Sequence, residues 1–343
     1  MTLTHVALKG FRGTHVLVPA ATKPPSAAEI IAKIINEPDL APEHLDGLTK
    51  CLNARYPERN LRENTQQVEQ FWGVFGKVEG RVKSQAASLS KLLSRRSDWD
   101  GRTVKGTPIE TAKVYGDAIG IRLTMSEGTP AQVDEVVAAL ADAIKRGDIQ
   151  ILIGENYTGK GGHQYLRKKH FTLLERASKE AGHPPFVGTR SSKESGYTAG
   201  QFNVIFKNGD IGELQLRGPH VDTFSQVEHL LYDIRMGKDV THGIARDSGL
   251  HQEVQALQVK LRAIRQDPRL RQIYSDYINE SYKRARQREI YPDNKRLASE
   301  NIPFPEALAK LKQGYEDLEI SKITDLHHRL EDAKAGKRVL ANA

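Results

Sequence analysis

Glu213, Gln215 and Arg217 alternate with Leu214 and Leu216, so an extended chain would show an acid, an amide and a guanidinium on one face and leucines on the other. Upstream, Gln201 and Asn203 alternate in the same way with Phe202, Val204 and Phe206, and Asn208-Gly209 between the two runs marks a hairpin. A two-residue loop at 208–209 would set Glu213 beside Val204 and Gln215 beside Phe202. A three-residue loop at 207–209 pairs Asn203 with Glu213 and Gln201 with Gln215, and it puts Gly209 where a bulge needs a left-handed residue. Only the second keeps the polar side chains together, because a slip of one residue turns every side chain over. Asp117 begins another strand of what should be the same sheet, with Ile119, Ile121 and Leu123 at period two. Two carboxylates on neighbouring strands, ringed by arginines, supply oxygen ligands for Mg²⁺ and forks for phosphate. The competing reading is the solvated face of an edge hairpin.

The elements that must position these residues are partly legible. A regular strand would put Asp117 on the face opposite Arg122, so the strand should begin, twist or bulge near Asp117. Thr129-Pro130-Ala131-Gln132 supplies an N-cap, a proline at the first helical position and a capping-box glutamine. Val133, Val136, Val137, Leu140 and Ile144 follow at helical spacing, then Gly147 as C-cap and Ile149 to Ile153 as a short strand. This is β-α-β, right-handed if its strands are parallel. Residues 154–199 read as a polar excursion with a helix around 163–181.

Before this middle region, an extended start and a breaker at Lys23-Pro24-Pro25-Ser26 lead to a helix carrying Ile30, Ile31, Ile34 and Ile35. Leu61 to Ser94 reads as helical, broken near Gly76 and Gly80. If helical, Arg81, Ser84, Ser88, Lys91 and Arg95 share one stripe, and Val82, Ala86, Leu89 and Leu93 the other. Small serines between cations suit a phosphate chain. After Pro219 the pattern is helical to the end. Asp267-Pro268 opens a helix with Leu270, Ile273, Tyr274, Tyr277, Ile278 and Tyr282 on one side, two more helices fall within 303–335, and the last eight residues should fray.

Composition narrows the partners. The chain has 343 residues, 38% of them hydrophobic and 27% charged, enough for a sizeable core. No apolar run approaches the roughly 18 residues that span a bilayer, which excludes an integral membrane protein. Met1 to Val18 lacks the marks of a Sec signal, so a cytoplasmic location is expected. One cysteine, Cys51, excludes a disulfide scaffold and every multi-cysteine metal site. A net charge of +8 favours an anionic partner. Gly154-Glu155-Asn156-Tyr157-Thr158-Gly159-Lys160 mimics a phosphate loop, but Gly161 stands where a Ser or Thr must ligate Mg²⁺, so a flexible loop is the better reading.

Four segments in order carry a resemblance. They are Arg81-x-Lys83 with Lys91 ten residues after the arginine, Asp117-Ala118-Ile119-Gly120-Ile121-Arg122, Lys193-Glu194-Ser195-Gly196-Tyr197, and Glu213-Leu214-Gln215-Leu216-Arg217. Over roughly residues 78–235 the set resembles the synthetase domain of the RelA/SpoT family of alarmone synthetases. The resemblance implies an α/β (α+β) fold, a mixed β-sheet of nucleotidyltransferase-like type flanked by helices. Helical N- and C-terminal extensions would flank it, at 1–75 and 239–343 around a domain at 76–238.

It also implies a reaction, transfer of the β,γ-pyrophosphate of ATP to the 3′-hydroxyl of GDP or GTP. Arg81 and Arg122 would hold the adenine, Lys83 and Lys91 the ATP phosphates. Asp117 and Glu213 would hold Mg²⁺, with Glu213 also activating the acceptor hydroxyl. Tyr197 would stack on the acceptor base, with Lys193, Gln201, Asn203, Gln215 and Arg217 as further acceptor contacts.

Two departures matter. Gln201 stands where the family usually has His, and Gly218 where it has Thr. A glutamine cannot bring a positive charge to an acceptor phosphate. None of the 12 histidines is followed by Asp, so the family's hydrolase domain is not expected and the enzyme should only synthesise. A toxic relative is the alternative. It would make adenosine alarmones or pyrophosphorylate the tRNA 3′ end, with an antitoxin or immunity protein as partner. The basic stretches Arg167-Lys168-Lys169-His170 and Lys283, Arg284, Arg286, Arg288 lean that way unless they are solvated helix faces. A non-catalytic nucleotide-binding regulator is the reading from another class.

Overall fold

The computed structural model describes residues 25–37, 39–98, 103–159, 162–192, 196–246, 248–298, 304–311 and 314–341. In chain order the elements begin with α1 (Ala27–Asn36), α2 (Pro42–Asn53), α3 (Glu58–Trp72), β1 (Gly76–Val82), α4 (Gln85–Asp98) and α5 (Pro108–Tyr115). They continue with β2 (Ile119–Met125), α6 (Pro130–Lys145), β3 (Ile149–Thr158), α7 (Lys168–Glu180), β4 (Val187–Ser192), β5 (Ala199–Phe206) and β6 (Ile211–Arg217). The rest is helical, namely α8 (Pro219–Arg235), α9 (Gly249–Gln266), α10 (Pro268–Ile290), α11 (Lys295–Ala298), α12 (Glu306–Leu311) and α13 (Ile320–Ala341). The start through residue 24, the loop pair Lys160 and Gly161, and Lys193 to Ser195 lie outside the described residues.

The chain divides into two units, one of residues up to Arg55 with Ser84–Tyr115, the other of Tyr56–Lys83 with Gly116 onward. In the first, Ser26 caps α1, accepting from Glu29 N at 3.2 Å while Glu29 takes a bond from Ser26 N at 2.5 Å. The four isoleucines of α1 are buried as their spacing predicts. Asn36 and Val104 exchange a reciprocal pair of bonds at 2.9 and 2.7 Å, tying α1 to the segment before α5.

The second unit is built on a mixed sheet of six strands in the order β1-β2-β6-β5-β3-β4. β2 pairs parallel with β6 and β3 with β4, while the other neighbours are antiparallel. This is the expected mixed sheet flanked by helices. The hairpin has the expected register, Asn203 opposite Glu213 and Gln201 opposite Gln215, with Gly209 at φ 86°. Val204, Phe206, Phe202, Leu214 and Leu216 lie on the other face, buried under α3, α6 and α7. Trp72 locks α3 to α6 there, its indole N–H donating to Val136 O at 3.0 Å.

Several expectations fail for physical reasons. The helix read over 61–94 is interrupted by strand β1, so Arg81 lies on a strand and not on a helical stripe. The period-two signal was hidden because Gly80, exposed as a residue, stands on the side of β1 that meets α3, where an apolar residue would normally mark it. A Cβ there would overlap Thr65 Oγ1 and lie 2.9 Å from Leu61 Cδ1, so α3 can cross β1 closely only above a glycine. In α4 the buried positions are Ser88 and Leu92, while Leu93 is exposed. Ser88 is turned inward to Asn53 at 3.0 Å and to Tyr115, so the serine stripe does not face a ligand.

The polar excursion at 154–199 contains the second half of β3 and all of β4. The last helix runs to Ala341 where fraying was expected. Of the two basic stretches the first is a solvated face, with Arg167, Lys168 and Lys169 exposed, and the second is partly buried. Arg167, Lys169 and His170 converge on Asp134 at 2.7, 2.5 and 2.6 Å. Arg286 is buried, and Arg288 donates to Leu297 O at 2.7 Å.

The close approach of α3 to β1 makes a direct prediction. Gly80→Ala should destabilise the protein by about 1–3 kcal/mol, the usual range for an overpacked site. Gly80→Ala combined with Thr65→Ala should recover part of the loss in urea unfolding. Equal midpoints for wild type and Gly80→Ala would show that the crossing is looser than described.

Candidate active site

Sheet register gathers the polar residues. On β1, Glu79 and Arg81 lie opposite Arg122 and Gly120 of β2. Those two in turn face Gln215 and Glu213 of β6, and β6 continues the same face with Arg217. Gln201 and Asn203 of β5 extend it. The resulting cleft, about 270 Å³, is lined by Glu79, Gly80, Arg81, Gly120, Ile121, Arg122, Glu213, Gln215, Arg217 and His229. α8 contributes His229 and lies over this side of the sheet, so the solvated-edge reading of the hairpin does not hold.

A β-bulge extends the face to the outer strands. β3 shifts register between Ile151 and Ile153. Ile149 and Ile151 therefore align with Phe206 and Val204 on the apolar side, while Glu155 and Tyr157 align with Gln201 and Ala199 on the polar side. Without the extra residue, Glu155 would point the wrong way. The sequence offered no sign of this shift, because Ile151-Leu152-Ile153 reads as one uniform apolar run.

A continuous hydrogen-bond chain runs through the face. Arg217 Nη2 donates to Tyr197 OH at 2.5 Å and to Gln215 Oε1 at 2.9 Å. Gln215 Nε2 and Gln201 Nε2 donate to the two carboxylate oxygens of Glu213. Asn203 Nδ2 donates to Gly116 O at 3.3 Å, which ties the turn carrying Asp117 to β5.

Strand β2 begins at Ile119, so Asp117 sits in the preceding turn and the parity conflict disappears. Its carboxylate lies 2.9 Å from Lys83 Nζ, just past the end of β1. Lys91 belongs to the first unit, on α4, and Lys193 lies outside the described residues.

Charge balance in the cleft depends on Asp222, a residue that sequence spacing did not single out. It is buried in the first turn of α8 and bridges Arg122 Nη1 at 3.1 Å and Arg217 Nη1 at 3.4 Å. Ser225 adds a bond to Arg217 Nη1 at 2.7 Å. Arg122 also reaches Glu79 at 3.1 Å, and Glu79 is held below its ordinary value first by Lys77 and then by Arg122. The only sequence sign of Asp222 was an acid in the first turn after Pro219, a favourable place near a helix N-terminus.

Tyr197 stands at the end of the chain of bonds. Its ring is 5.8 Å from Tyr157 and 6.0 Å from Tyr282 of α10, edge-on to the latter. Burial raises its pKa, so the hydroxyl stays protonated. His229 keeps exposed surface as a residue, yet its ring lines the cleft. Removal from water, and then the guanidiniums of Arg217, Arg81 and Arg122, push its pKa down to about 4.

The donor set at Asp117 and Glu213 fits a hard cation in type. Among the described residues no group of three His, Cys, Asp or Glu side chains could hold a metal. Mg²⁺ usually takes one or two carboxylates and completes its shell with water and substrate phosphate.

No family model matches the chain, and no curated protein matches it. Solved structures do. Small alarmone synthetase 1 from Bacillus subtilis matches with 18% identity over 64% of this chain and 92% of its own, at a TM-score of 0.32. A GTP pyrophosphokinase family protein from Streptococcus pneumoniae matches with 19% identity over 71% and 98%, at 0.30. A Streptococcus mutans protein matches with 18% identity over 71% and 99%, at 0.27.

His229 gives a pH prediction. Its folded pKa of about 4 lies below the ordinary 6.5, so between these values the unfolded chain binds a proton that the folded one refuses. Its contribution to stability is therefore present above about pH 6.5 and lost as pH falls toward 4. Urea midpoints of His229→Gln should decline less than wild type across that window. Parallel curves would mean that the ring is solvated in the folded state.

Proposed function

We propose that this chain is an ATP-dependent pyrophosphokinase that transfers the β,γ-pyrophosphate of ATP to the 3′-hydroxyl of GDP or GTP. One observation carries the reading. Segments far apart in sequence, each resembling a motif of such synthetases, bring Arg81, Arg122, Glu213, Gln215 and Arg217 to a single cleft.

In this reading the acceptor 3′-oxygen bonds to the β-phosphorus, the bond from that phosphorus to the α–β bridging oxygen breaks, and AMP leaves. Glu213 takes the hydroxyl proton as base. Arg81 and Arg122 bind ATP, and Lys83 meets its phosphates when it leaves Asp117. Tyr197 offers its ring to the acceptor base, and Arg217 fixes the ring through its hydroxyl. Asp117 and Glu213 would hold Mg²⁺, which supplies neutralisation of the charge on the transferred group. Positioning of the two substrates then accounts for much of the rate.

The engagement of Gln201 with Glu213 changes what its departure from histidine means. Its amide orients a carboxylate, so its first effect falls on the base and not on acceptor phosphates. The second basic stretch lends the tRNA acceptor little support, since Lys283 and Arg284 meet Glu280 and Arg286 meets Glu289, while Arg167, Lys168 and Lys169 stay exposed around Asp134. Among the described residues no helix is long and apolar enough to cross a membrane.

Labelled ATP offered with GDP, GTP, AMP or bulk tRNA tests the reading, and label should pass to a guanosine nucleotide. Asp117→Asn and Glu213→Gln should each lower turnover on the order of 10³-fold, several kcal/mol of transition-state stabilisation. Transfer to none of the acceptors would reject the function, and near-normal turnover in either variant would reject the site.

Tyr197→Ala should weaken acceptor use by roughly five- to 150-fold, the value of about 1–3 kcal/mol for a stacked base. Its constant for ATP should change little. The reverse pattern would exchange the roles of the two subsites.

A further inference from the structure

Helix α8 lacks a cap of its own. Its N-cap is Gly218, which has no side chain to offer, so the first-turn amides need acceptors from elsewhere. One described acceptor is on α10, and the other, in the loop before α7, is held by it. Glu289 Oε1 accepts from Val221 N at 2.9 Å, and Tyr165 OH accepts from Gly218 N at 2.6 Å while donating to Glu289 Oε2 at 2.6 Å. A Cβ at Gly218 would overlap the Glu289 carboxylate. The glycine at this motif position and the glutamate on the distant helix thus occupy one space between them.

The carboxylate is itself held. Arg286 Nη1 donates to Glu289 Oε2 at 2.9 Å and to Gly128 O at 2.5 Å, and the guanidinium lies 3.9 Å over the Tyr165 ring. Glu289, Arg286 and Tyr165 are at most 2% exposed. A buried ion pair is weak evidence for stability, since well-packed apolar residues often do as well. Apolar residues could not accept from the amides at the head of α8.

One turn of helix separates this cap from the cleft. Val221, whose amide Glu289 accepts, precedes Asp222, which bridges Arg122 and Arg217. Ser225 on the next turn holds Arg217 as well. We infer that Glu289 is a positioning residue of the cleft, capping α8 from the C-terminal extension and thereby setting the guanidiniums of Arg122 and Arg217. The inference rests on the cleft being the ATP site, and it makes the C-terminal helices part of the active unit.

The test uses the full chain and a change of sign. Glu289→Ala combined with Arg286→Leu removes the remote cap without leaving a buried charge, and it should weaken ATP binding at least tenfold. Gly218→Thr alone should also weaken it, because the new side chain displaces the carboxylate. Gly218→Thr added to the first pair should restore binding to within about threefold of wild type, since threonine can cap α8 itself. Trp72→Phe, which loses a buried bond under the opposite face, serves as a destabilised control and should leave ATP binding unchanged.

Hydrogen exchange of residues 219–223 reports the cap whether or not ATP binds. It should quicken in the first pair and slow again in the triple variant. Unchanged exchange in the first pair, or no recovery in the triple, would overturn the inference. A wild type that fails to bind ATP yet shows the exchange pattern would retain the cap and reject the function.

Discussion

A guanidinium buried beneath a helix sets the terms for this site. Arg217 is at most 2% exposed, and a charge so far from water is tolerated only when its donors are met. The structure meets those on the two terminal nitrogens, with Asp222 and Ser225 from α8, Gln215 from the same strand and the Tyr197 hydroxyl from the loop before β5, and leaves Nε without a partner. Each partner is then constrained by its own role. Gln215 turns its amide to Glu213, Asp222 also takes Arg122, and Tyr197 is wedged between Tyr157 and Tyr282. The geometry of Glu213, of Arg122 and Arg217 and of Tyr197 is therefore one problem with one solution.

This dependence explains what was legible in the sequence. The hairpin was readable down to its register because alternation and turn chemistry agree locally, and Asn203 indeed faces Glu213. Helices α1 and α6 were readable for the same reason, since cap and apolar stripe coincide. β1 was not, because the residue that should have marked its side toward α3 is Gly80, chosen by a helix that crosses it. β4 was not, because its alternation involves small and polar residues at the sheet edge.

The same division runs through the site. Residues on the regular strands, Glu213, Gln215 and Arg217 among them, announced themselves by period two. Asp222 and His229 reach the sheet from a helix and Glu289 meets the head of that helix from another, and no local pattern encodes a pair such as Val221 and Glu289, 68 residues apart. Even the departure at Gly218 looked like a lost side chain until Glu289 was seen to fill its place. The two basic stretches look alike in sequence and differ in the fold: Arg167, Lys168 and Lys169 stay on the surface, while Arg286 is buried against Glu289.

The bulge in β3 divides the sheet into two phases. Before Ile151 the strand is in step with the hydrophobic layer, and after Ile153 it is in step with the polar one. The chain thereby spends one unpaired residue, Leu152, to switch a strand from scaffold to lining part-way along its length. Insertions and deletions on either side of that residue have opposite meanings. Upstream they disturb packing against the helices below. Downstream they would turn Glu155 and Tyr157 away from the polar face and bring Gly154 and Asn156 onto it, altering what the outer half presents while the hairpin and β2 keep their register. Length at this one position thus sets the phase of the outer half of the sheet.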